Sequence, residues 1–152
     1  MNIQISDIGH VIQLSIAPVF LVTGVATKLT VLTNRLARII DRSRVLEDRL
    51  EVGPEVGSNQ RYTSELDILY GRAHLINTAI TLSTACGLLI CLVIAMLFLG
   101  DTTSVPLDKY IAGCFVIAMF ALIGSFIYLL REIFIASKHM RLAHNARRAL
   151  AG

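Results

Sequence analysis

The sequence predicts an all-α integral membrane protein, with three transmembrane helices extended into a cytosolic helical hairpin and a C-terminal cytosolic helix. Three observations predict it. Apolar runs occupy Ile8–Leu32, Ile76–Leu99 and Tyr110–Leu130, each about long enough to cross a hydrocarbon core of roughly 30 Å as an α-helix. Hydrophobic residues make up 55% of the 152-residue chain and charged residues only 16%, whereas soluble domains carry about 25% charged residues. Finally, Lys and Arg crowd one side of all three runs.

The first helix enters its run from Met1–Asp7, which has no basic residue. Without a basic n-region or a small-residue cleavage site, run one reads as a retained span and not a cleaved signal. Pro18 lacks an N–H, so it frees the carbonyl of Leu14 and predicts a bend or hinge in this span. From Val25 to Val52 there is no Gly or Pro, so the helix continues beyond the membrane. Gly53, Pro54 and Gly57 make the first turn. The second helix follows from Ser58, with only Gly71 and Gly87 before Gly100, and Gly100 and Pro106 mark the second turn. The third helix has no Gly or Pro between Ser125 and Gly152. The expected spans are 8–32, 76–99 and 110–130, with the hairpin over 33–75 and the C-terminal helix over 131–150, all in one domain covering 1–152.

The extensions carry heptads. Leu29, Leu32, Leu36, Ile39, Ser43, Leu46 and Leu50 recur at alternating steps of three and four, as do Tyr62, Leu66, Leu69, Ala73, Ile76 and Ile80. Such spacing puts one apolar seam on each arm of an antiparallel coiled-coil hairpin. Leu129, Ile133, Ala136, Met140 and Ala143 continue the pattern on the third helix.

Topology follows from the basic residues. Arg35, Arg38, Arg42, Arg44, Arg49, Arg61 and Arg72 lie between runs one and two, and Arg131, Lys138, Arg141, Arg147 and Arg148 follow run three. The connection between runs two and three holds only Lys109. The positive-inside rule then puts the N-terminus outside and the C-terminus in the cytosol.

Several function classes are disfavoured. The net charge of +3 is spread beside membrane runs and interleaved with acids, unlike the single basic face of a nucleic-acid reader. Cys86, Cys91 and Cys114 all fall in spans, without Cys-x-x-Cys, and read as small apolar packing residues. His10, His74, His139 and His144 are scattered. No metalloprotease, phosphate-loop or nucleophile-elbow motif occurs. The expectation is therefore no enzyme, no cofactor, no metal site and no catalytic residue. No span carries a central Asp or Glu, which disfavours a self-contained proton carrier.

The most suggestive pattern is a stripe on helix one, at Gln13, Ile16, Phe20, Thr23, Thr27, Thr30, Asn34 and Asp41, continued by Arg44 and Asp48. Around an axis shared by several copies, Ile16 and Phe20 would form a hydrophobic gate, the threonines a hydroxyl lining and Asp41 an acidic ring. Arg44 opposes that reading for cations. The same threonines also suit plain packing: they can bond their own i−4 carbonyls or meet Asn77, Thr81, Thr84 and Ser125 at matching depth on helices two and three. Lys28, the one charge well inside a span, is close enough to Leu32 to snorkel to the headgroups. Cys114, Ala118, Ala121 and Ser125, with Gly113 and Gly124 nearby, make a small-residue stripe that lets helices approach closely. The tail arginines suit contact with anionic membrane lipid.

The stretch Ile16-Ala17-Pro18-Val19-Phe20-Leu21, Gly24, and the block Leu32-Thr33-Asn34-Arg35-Leu36-Ala37-Arg38-Ile39-Ile40-Asp41-Arg42 resemble a bacterial membrane-protein family catalogued as domain of unknown function 2721. The resemblance covers most of the chain and implies a small multi-span helical protein of a bacterial inner membrane, without implying an activity. A looser architectural likeness is to proton-driven motor subunits of the ExbB/TolQ type, which also have three spans and long cytosolic helices. Two functional expectations stand side by side. One is a homo-oligomeric, ion-conducting or motor-like assembly. The other is a non-conducting scaffold whose cytosolic hairpin docks a partner membrane or cytosolic protein.

Overall fold

The computed structural model describes residues 5–51, 59–103 and 107–150, and describes side chains at 9, 12–51, 59–60, 62–100 and 107–138. The described residues form three helices, α1 (Ile5–Glu51), α2 (Asn59–Thr103) and α3 (Asp108–Leu150). They contain no strand. Each helix includes a stretch long and apolar enough to cross a membrane. The helices are 47, 45 and 43 residues long. At about 1.5 Å per residue each is about twice as long as a hydrocarbon core of roughly 30 Å is thick.

Local sequence explains the helix bounds. α1 passes Pro18 without interruption and ends with Arg49 in its last turn, where a cation meets the carbonyl end of the helix dipole. α2 passes Gly71, Gly87 and also Gly100, ending at Thr103. Gly100 was expected in the turn. A glycine weakens a helix by only about 1 kcal/mol, and a single one does not stop a helix. α3 opens at Asp108, an acid in the first turn where it complements the dipole. The amides of Tyr110 and Ile111 both donate to the carbonyl of Leu107, at 3.0 Å. The turn residues Gly53, Pro54, Gly57 and Pro106, together with the side chains of His10, Arg61, His139, Met140, Arg141, Ala143, His144, Arg147 and Arg148, lie outside the described residues.

The chain divides into two compact units, and every helix contributes to both. The first comprises Met1–Val31 and Thr81–Ser125. Its core is Val25, Cys86, Ile90, Ala118 and Leu122. The small-residue stripe of α3 faces this core: Ala118 and Ser125 are fully buried, and Ala121 packs against the cluster. Close approach is visible at Gly87, where a Cβ would sit 3.7 Å from Val25, and at Gly124, where it would sit 3.4 Å from Leu82. Gly113 faces open space.

The second unit comprises Leu32–Ile80 and Phe126–Gly152. Its core joins Leu32, Ile39 and Leu46 of α1 to Leu66, Leu69, Ile76 and Ala79 of α2, with Leu36, Leu50, Tyr62, Ala73 and Ile80 around them. Both apolar heptad seams of α1 and α2 therefore face inward. On α3 the phase differs from expectation. Ile133 is exposed, while Tyr128 and Leu129 pack on the core and Glu132 is fully buried. The inward positions of α3 run Ala118, Leu122, Ser125, Leu129, Glu132, Ala136, continuing the small-residue stripe in steps of four and three.

Candidate functional site

Three polar arrangements stand out, one inside each unit and one on the surface of α1. In the first unit, Lys28 is buried and its Nζ donates to Ser125 Oγ at 2.8 Å. Ser125 Oγ lies 2.7 Å from Ser83 Oγ, and both serines are fully buried. Lys28, Ser83 and Ser125 come from α1, α2 and α3, so one cluster ties the three helices together. An ammonium in an apolar surround must be hydrogen-bonded, and the Ser125 hydroxyl, itself bonded to Ser83, provides for it. Lys28 thus turns inward instead of snorkelling toward headgroups. Cys86 lies in the neighbouring core. Cys91 is exposed and Cys114 half-buried, and all three thiols are free.

In the second unit, the carboxylate of Glu132 is 0% exposed and sits between two arginines. Arg72 donates to Oε1 from Nε at 3.2 Å and from Nη2 at 2.8 Å. Arg35 Nη1 lies 3.3 Å from Oε2. That contact lacks hydrogen-bond geometry, and Oε2 accepts no directed hydrogen bond. A buried carboxylate is expensive unless paired, so Glu132 fixes both guanidiniums. Beside them a groove of about 350 Å³ is lined by Arg35, Arg38, Arg42 and Arg72 over a floor of Ile39, Leu69 and Ala136. Arg42 donates from Nε and Nη2 to Glu65 Oε1, at 3.1 and 2.7 Å. Tyr70 hydrogen-bonds Glu47 on the same pair of helices.

The third arrangement is the α1 stripe. Gln13, Ile16, Phe20, Thr23, Thr27, Thr30, Asn34 and Asp41 are all exposed, Phe20 at 74%. The threonine hydroxyls donate along their own helix: Thr23 to Val19 O at 3.2 Å, Thr27 to Thr23 O at 3.0 Å, Thr30 to Ala26 O at 3.2 Å. Of the proposed partner residues, Ser125 is buried with Lys28 and Ser83, while Asn77, Thr81 and Thr84 are exposed. Asn77 lines a separate pocket of about 290 Å³ with Tyr70 and His74 in the second unit. Pro18 is buried beside an apolar cavity of about 400 Å³ in the first unit, together with Val93, Leu97 and Phe115. Among the described residues no group of three or more His, Cys, Asp or Glu comes together as a metal-ligand set.

Ser83 and Glu132 were not foreseen from the sequence. Ser83 reads as one hydroxyl among many in an apolar run. Glu132 carried a usable signal, because it falls in phase with Ala118, Leu122, Ser125 and Leu129. A charged residue is ordinarily assigned to the surface, and the phase alone outweighs that expectation only when its arginine partners are known.

The geometry is accompanied by one sequence relationship. A family model described as Protein of unknown function (DUF2721) matches residues 15–142. The chain belongs to this family. The match spans the Lys28, Ser83 and Ser125 cluster, the Glu132 cluster and most of the α1 stripe. No curated protein and no solved structure matches the chain. Family membership therefore fixes kinship and assigns no activity.

Proposed function

We propose that this DUF2721 protein is a non-enzymatic, homo-oligomeric assembly of the bacterial inner membrane that passes cations along the α1 stripe. The supporting observation is the state of the threonines. The hydroxyls of Thr23 and Thr27 give their protons to their own helix, so their oxygens offer lone pairs outward. The column is also exposed on the protomer, available to an axis shared with other copies. Acceptor oxygens replacing part of a hydration shell suit cations, and Ile16 with Phe20 above them makes a dewetting gate. Asp41 adds an acidic ring on the cytosolic side.

In this reading the N-terminus lies outside and the C-terminus in the cytosol. The second unit is then a cytosolic helical hairpin with the end of α3 alongside. Reporters fused to each end test this arrangement, and a cytosolic N-terminus overturns it. For conduction, purified protein in liposomes should pass monovalent cations, and Phe20→Ala should raise the flux. Correctly inserted protein without flux in any ionic condition refutes conduction.

The separate core of the second unit supports a second reading, a non-conducting scaffold whose coiled-coil hairpin docks a partner protein. Removing 38–59 would then abolish partner capture with membrane insertion retained, while an unchanged pull-down profile counts against it.

A further inference from the structure

We infer that the four-arginine groove of the second unit is a binding site for the phosphodiester headgroup of an anionic membrane lipid. Charge is the first ground. Arg35, Arg38, Arg42 and Arg72 line one groove, and two carboxylates, Glu132 and Glu65, pair with three of them. Two positive charges remain in surplus. Arg38 is exposed, and no ion pair joins it to a carboxylate among the described residues.

Preorganisation is the second. Arg72 and Arg42 each turn the Nε and Nη2 edge to a carboxylate. Guanidinium has five N–H donors in a fixed fork, so Nη1 of both remains for an anion. The fully buried Glu132 holds Arg35 and Arg72 in place, so little side-chain entropy is lost when a phosphate arrives. The fork of Arg38, which no carboxylate engages among the described residues, matches the two non-bridging oxygens of a phosphodiester.

Depth is the third and decides for a lipid. Arg35, Arg38 and Arg42 follow Leu32, the end of the apolar run on α1, by three, six and ten residues, hence by about 4.5, 9 and 15 Å along the helix, and the long side chains of Arg38 and Arg42 reach back toward the headgroups. Arg72 precedes Ile76 on α2 by four residues, hence by about 6 Å. The headgroup layer occupies roughly the first 5–8 Å beyond the hydrocarbon on each side. The membrane-side edge of the groove, at Arg35 and Arg72, thus falls where lipid phosphates lie, with Arg38 and Arg42 on its cytosolic side over Ile39, Leu69 and Ala136. Basic pockets between helices at this level are a known means of holding anionic headgroups. This site is independent of whether α1 lines a conduction path.

The test is native mass spectrometry of the full chain in detergent, with phosphatidylglycerol, cardiolipin or phosphatidylcholine added. Wild-type protein should retain phosphatidylglycerol and cardiolipin over phosphatidylcholine. Arg38→Gln should weaken that retention about fivefold, and Arg38→Gln with Arg42→Gln about twenty-five-fold. Helicity by circular dichroism should be unchanged, since both side chains are exposed. Equal retention of all three lipids by the wild type overturns the proposal, as does equal anionic-lipid retention by wild type and the double variant. In a second arm, inorganic phosphate and pyrophosphate are titrated against bound lipid. Failure to displace it fits a lipid site, and displacement at low concentration means that the groove reads a free phosphate instead.

Discussion

Glu132 and Glu65 show how burial decides what an ion pair does. Arg42 and Glu65 meet at 2.7 Å with half of the arginine side chain exposed, where water already serves both charges. Such pairs contribute about 0–1 kcal/mol. Glu132 has no water to fall back on. Glu132→Gln leaves Arg35 and Arg72 without their shared counter-charge, and breaking a buried pair costs about 3–5 kcal/mol. Thermal unfolding in detergent should therefore separate the two substitutions widely: Glu132→Gln strongly destabilised, Glu65→Gln close to wild type. Similar losses for both would mean that the Glu132 cluster is hydrated. At Ser125 the shared hydroxyl serves Lys28 and Ser83 together. Ser125→Ala should destabilise by about 1–3 kcal/mol, and Ser125→Thr should retain more stability than Ala if the hydroxyl matters more than the tight space.

At the scale of the element, the helices are long because nothing stops them, and they associate along stripes that differ in size from end to end. In the first unit the stripe on α3 carries small residues, with Ala118 and Ser125 fully buried. Overfilling such a contact costs about 1–3 kcal/mol. Ala118→Leu should lower the unfolding midpoint in detergent, whereas Ile117→Leu, on the exposed face of the same helix, should leave it in place. In the second unit the seam is large and apolar. Leu46 is 1% exposed, and Leu46→Ala removes a core side chain at about 2–5 kcal/mol. The exposed neighbour Val45 serves as control, with Val45→Ala near neutral.

For the whole molecule the open face of α1 matters most. A stripe with Gln13, Asn34 and Asp41 at its polar positions is exposed along the protomer, and an assembly gives it a use. Native mass spectrometry should find a closed ring of four or more copies. A monomer or dimer encloses no axis with one α1 per copy, and the threonines would then be helix-bound hydroxyls facing lipid.

Hydropathy and heptads made much of this fold legible. Three apolar runs and the seams through Leu32 to Leu46 and Leu66 to Ile76 are periodic signals, and period is what sequence carries, whereas Gly100, expected in a turn, lies within α2. The family block at Asn34–Arg42 was equally readable. Only the tertiary structure brought Lys28 to Ser125 and Ser83, and Arg35 and Arg72 to Glu132. Those pairings span separations of 97 residues for Lys28 and Ser125 and 60 for Arg72 and Glu132. No local pattern encodes which distant charge will neutralise a buried one. A single helix shows which face a residue occupies, and the low-dielectric contact that makes burying a charge tolerable exists only once three helices have packed.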